Sequence, residues 1–139
     1  MKLAITLSLA PLIVSADPFC QSLGDFAAQA GAQSKPSIEL PFEGPRPDCS
    51  RSLDLRGVWS VTCGWGYAYR SDDASEAFHV LLDLIEVCGR YIGEDTAQVN
   101  HPDSYALHMF SIQETQISVS IKDKGALAQT WVFLRAGQN

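Results

Sequence analysis

The longest regular pattern in the chain is an alternation. Over residues 58–70 the odd positions carry Trp59, Val61, Cys63, Trp65, Tyr67 and Tyr69, and the even ones Ser60, Thr62, Gly64, Gly66, Ala68 and Arg70. Period two over that length predicts a strand with one bulky face and one small face. Glycine weakens a strand unless something approaches its backbone, so Gly64 and Gly66 imply a close neighbour or a bend on the small side.

Helical periodicity appears twice. Asp17 before Pro18 is a capping carboxylate ahead of a proline at the first helical position, and Phe19, Cys20, Leu23, Phe26, Ala27 and Ala30 then share one face as far as Gly31. Asp73 and Glu76 after Ser71 resemble a capping box that opens a second helix over about residues 74–92. In its middle only His79, Asp83, Glu86 and Arg90 are polar, and they form one narrow stripe. So much apolar circumference predicts burial on several sides, or a flank lent to another chain.

Towards the C-terminus the pattern returns to strands. Residues 105–113 are apolar on both faces, as in a central strand; residues 116–121 alternate Ile117, Val119 and Ile121 with Gln116, Ser118 and Ser120. Lys122-Asp123-Lys124-Gly125 fits a hairpin turn with glycine at the left-handed position, and residues 127–135 return as the last strand. Residues 32–48 carry Pro36, Pro41, Pro45 and Pro47, which excludes regular structure and predicts a stiff strap. Residues 93–104 form a polar loop. The order α-β-α-β-β-β predicts an α+β domain: a four-stranded, mainly antiparallel sheet with two helices packed on one side.

The first residues change the picture of where this domain works. Lys2, an apolar run over residues 3–14 and Val14-Ser15-Ala16 make the three parts of a signal peptide cleaved after Ala16, so residues 17–139 form the mature domain. The run is too short to span a bilayer, which needs about 20 apolar residues. A periplasmic or secreted location follows. All four cysteines, Cys20, Cys49, Cys63 and Cys88, lie in the mature part, and an oxidising compartment favours two structural disulfides. Of the three connectivities, Cys20 to Cys49 with Cys63 to Cys88 is favoured, because the first bridge would pin the strap to the first helix.

Removing Lys2 leaves 9 basic against 16 acidic residues, a formal charge of −7. That field repels phosphate backbones, so nucleic acid is not an expected partner, and membrane insertion is not expected either. A protein partner carrying positive charge fits better, as does self-association through the second helix.

Catalytic chemistry finds little support. His79 and Asp83 stand one helical turn apart but continue into Glu86 and Arg90, the pattern of an ordinary solvated face. No phosphate-binding loop, Gly-x-Ser-x-Gly elbow or His-Glu-x-x-His helix is present. No metal and no cofactor are expected, since no cysteine pairs at ligand spacing and the acidic loop does not match a calcium-binding pattern. The expected binding residues are Trp65, Tyr67 and Tyr69 of the aromatic row, with Asp95, His101 and Asp103 of the long loop. The expected function is an exported binding protein of the inhibitor, immunity-factor or assembly-chaperone type. A small hydrolase using His101 or His108 with carboxylates, and a carrier of a small apolar ligand, are the alternatives.

Overall fold

The computed structural model describes residues 17–95 and 105–138. The N-terminal segment with the expected cleavage site lies outside the described residues, as do His101 and Asp103. In chain order the elements are α1 (Pro18–Ala28), β1 (Asp48–Leu53), β2 (Trp59–Ala68), α2 (Asp72–Glu86), β3 (Arg90–Asp95), β4 (Tyr105–Ile112), β5 (Thr115–Lys124) and β6 (Gln129–Gln138), with 3-10 turns at Gln29–Gly31 and Gly125–Leu127. The strands form one antiparallel sheet in the order β1-β2-β6-β5-β4-β3.

The class is α+β, but the sheet has six strands where four were expected. Both extra strands are edges. In β1 only Cys49 is buried, and β3 is exposed almost throughout and broken by a bulge at Ile92, so neither carries the apolar periodicity that reveals a strand. β3 was hidden by the apparent continuation of the second helix to residue 92. That helix stops at Glu86 because at Gly89 the chain presses against β4: a Cβ there would collide with the Ile112 side chain and come within 2.6 Å of the Ser111 carbonyl oxygen. Arg90 therefore belongs to β3, not to the polar stripe.

Both helices pack on one face of the sheet. Asp17 caps α1, its carboxylate accepting from the Phe19 and Cys20 amides, and Phe19, Leu23 and Phe26 turn inward. From α2 come Phe78, Leu81 and Ile85, and the odd residues of β2 (Val61, Cys63, Trp65) meet Ile117, Val119, Val132 and Leu134 in the same cluster. Each fully buried Leu, Ile or Phe here contributes about 1.5–3 kcal/mol relative to exposure. The strap holds no regular element; the Gln29 side chain anchors it, donating to the Ser37 carbonyl and accepting from the Ser37 amide, while Ile38 enters the core.

Among the described residues no helix covers the opposite face of the sheet. There Trp131 and Phe133 stack with ring centroids 5.9 Å apart and lie across β2, where a Cβ on Gly64 would stand 2.8 Å from the Phe133 ring and one on Gly66 3.0 Å from Trp131. The two glycines thus make room for a neighbour's aromatic side chains. The turn into β6 takes its left-handed residue at Ala128, φ 51°, not at Gly125.

The disulfides are Cys20–Cys88 and Cys49–Cys63, not the favoured pairing. Cys49 and Cys63 face each other across the β1–β2 ladder, a strand pair missing from the sequence reading. Cys20 on α1 is left to meet Cys88 just beyond α2, so the bridge staples the two helices.

Candidate functional site

The aromatic row of β2 divides along its length. Trp65 is 3% exposed and belongs to the core, so it is not available to a ligand. Trp59, at the other end, is exposed under the Arg51 guanidinium, and Tyr69 is half-buried against Arg70, 5.0 Å from its ring. Tyr67 opens onto a cleft. Beyond Gly64, β2 has no β1 partner, and the strap crosses the gap.

That cleft has a volume of about 420 Å³ and lies between strap residues 42–45, the end of β2 and the first turns of α2. Phe42 and Tyr67 supply aromatic rings, Glu43, Asp73 and Glu76 supply carboxylates, and Ala77 and Val80 complete the wall; among the described residues no lining residue is basic. The strap passes close over Tyr67, whose hydroxyl would stand 3.3 Å from a Cβ on Gly44. Partial burial raises the Tyr67 phenol above its ordinary value, and the negative charge of Asp73 raises it further, so the hydroxyl stays a neutral donor well past physiological pH.

Asp73 and Glu76 are free for this role because neither caps the helix. Ser71 does so, its hydroxyl accepting from the Ala74 amide, and the carboxylates at positions two and five of α2 project from its first turns. The sequence reading assigned them to a capping box and so missed them. Glu43 and Phe42 were hidden in the strap; an aromatic and an acid between prolines are a signal only once the strap is known to lie over β2.

The other expected residues do not converge. Asp95 is exposed at the far end of edge strand β3, opposite Leu107. His79, Asp83 and Glu86 all face solvent, and among the described residues no hydrogen bond joins the histidine to a carboxylate. His108 sits on the helix side of β4, 5.7 Å from the Phe78 ring, and its Nδ1 lies 3.4 Å from the Tyr91 hydroxyl. Leu82 and Leu84, on the flanks of α2, pack against the core, which leaves little apolar flank for a second chain. Between α1 and the β4–β5 turn a hollow of about 240 Å³ is lined by Leu23, Ala27, Ile112 and Ile117. It falls below the roughly 300–1,000 Å³ of small-molecule pockets. Among the described residues no three His, Cys, Asp or Glu side chains gather closely enough to hold a metal ion, and no helix is long and apolar enough to cross a membrane. Set against known protein families, curated proteins and solved structures, the chain matches none.

Proposed function

We propose that this is an exported binding protein that captures a protein partner by a positively charged side chain, taken into the cleft between the strap and α2. The observation that carries the reading is the composition of that cleft: two aromatic rings and three carboxylates around about 420 Å³, with no cation among the described residues lining it. An arginine or lysine entering it gains cation–π contact with Tyr67 or Phe42, worth about 0.5–2 kcal/mol, and the attraction of the three carboxylates in a partly desolvated recess. Export is supported by the basic, apolar and small-residue succession ahead of Asp17 and by the pairing of all four cysteines.

The test uses the oxidised protein as bait against the extracellular fraction of the cells that make it, beside the double variant Asp73→Asn, Glu76→Gln. A basic protein retained by the natural chain, released by salt and lost by the variant supports the reading. Identical proteins on both baits, or none on either, would overturn it. The N-terminus of recovered protein checks export separately, with Asp17 expected as the first residue.

A further inference from the structure

We propose a second, independent docking surface on the helix-free face of the sheet, which takes an acidic, apolar-containing segment of a protein partner. A groove of about 410 Å³ runs there over β4, β5 and β6, floored by Leu107 and Met109 and closed by Arg135 and by Arg56 of the β1–β2 turn. Gln116, Ser118 and Gly137 also line it, so among the described residues the groove holds two guanidinium groups and no carboxylate. Basic side chains extend beyond the groove: alternation and register place Lys122 and Lys124 on the same face as Arg135, Lys124 lying 5.7 Å from the Phe133 ring, while the acidic groups on this side include Asp54, paired to Arg56, and Asp95 at the β3 edge opposite Leu107.

Arg135 is exposed and, among the described residues, makes no hydrogen bond or ion pair, so its charge is available. Arg56 is held in place. The Asp54 carboxylate accepts from the Arg56 and Val58 amides and from Nε and Nη2 of Arg56, which fixes the turn and leaves the guanidinium further N–H groups to donate. The same turn holds Leu55 wholly in solvent, an apolar group in a rigid setting with no intramolecular contact to explain it. One arginine held in place, a second with its charge free and apolar side chains beside them are the composition of an interface anchor.

Charge decides among occupants. A second copy docked by the same face would set Arg135, Lys122 and Lys124 against their own counterparts, which opposes a two-fold dimer. A flat anionic bilayer meets the lysines but leaves a concave groove unfilled. An extended segment with carboxylates for the arginines and an apolar side chain for Leu107 and Met109 satisfies both features.

The probe is a labelled peptide of alternating Asp or Glu and Leu or Phe, compared with the same peptide carrying Lys for each acid, and with vesicles of phosphatidylglycerol and phosphatidylcholine. The acidic peptide is expected to bind, to shift the amide resonances of Leu107, Met109 and Arg135, and to lose affinity about tenfold or more on Arg135→Glu or on raising salt from about 50 mM to about 500 mM. Arg135 is exposed, so the variant is expected to fold, and the resonance shifts on the natural chain test the site without it. Shifts of the Leu107, Met109 and Arg135 resonances by the basic peptide equal to those by the acidic one, shifts by the acidic peptide confined to the strap cleft, or binding to vesicles alone would overturn the proposal. The two readings fail separately: binding of the basic peptide in the strap cleft is tested with Asp73→Asn and Glu76→Gln, on the other side of the sheet, whereas an acidic peptide seated in that cleft would count against both.

Discussion

Tyr67 shows how one residue can serve the fold and a site together. Its ring packs against the core cluster, while its hydroxyl lies under the strap and feels Asp73. Burial is the larger cause of its raised phenol value and the carboxylate the smaller. The folded state therefore holds the Tyr67 proton at pH values where the unfolded chain, ionising near the ordinary 10.0, has released it. Stability from this group is complete below that pH and is lost as pH rises through the folded value, because the unfolded state then binds fewer protons. In denaturant titrations between about pH 8 and about pH 11, Tyr67→Phe is expected to lose less stability than the natural chain. Asp73→Asn should recover part of the difference, since burial remains. An unchanged alkaline slope in Tyr67→Phe would show that the hydroxyl is not confined as described.

At the scale of elements, what the sequence disclosed tracks where apolar side chains were regularly spaced. β2 was legible because Val61, Cys63 and Trp65 are buried on one side, and β5 because Ile117 and Val119 are. The start of α1 was legible because Asp17 and Pro18 specify a cap by local chemistry. β1, with the sequence Asp-Cys-Ser-Arg-Ser-Leu, is defined by pairing to β2 and by one cysteine, and neither leaves a periodic trace. The candidate cleft was legible only in Tyr67, because its other members come from the strap and from a helix start, brought together by tertiary packing. The β1–β2 turn is the exception in which a short segment encodes its own geometry. Asp54 organises it, and the hydrogen bond from the Val58 amide, then that from the Arg56 side chain, hold its carboxyl below the ordinary 3.8. The turn should stay formed above that ordinary value and loosen as pH falls through the lower, folded one. Hydrogen exchange at the Arg56 and Val58 amides measures this: both are expected to accelerate in Asp54→Ala with the rest of the sheet unaffected. Unchanged exchange in the variant would mean that strand pairing alone sets the turn.

For the whole molecule, the two disulfides constrain very different things. Cys49–Cys63 closes a 14-residue separation between strands that a ladder already joins, whereas Cys20–Cys88 closes 68 residues and ties α1 to the end of α2. Loop-closure entropy makes the long bridge worth more by about 1.4 kcal/mol, on totals of about 3.0 and about 4.4 kcal/mol for the short and long bridges. Topology adds to the difference. The short α1 is held by Phe19, Leu23 and Phe26 against the core, and once the bridge to Cys88 is gone it depends on such apolar contacts and on the Gln29 clasp on the strap. The pair Cys20→Ala, Cys88→Ala should therefore lose more stability in urea than Cys49→Ala, Cys63→Ala, and should lose the helix-side core first. Peptide mapping of the unreduced protein checks the premise. A bridge between Cys20 and Cys49 would refute this arrangement of the helices, because Cys49 would then be drawn away from its partner across the β1–β2 ladder.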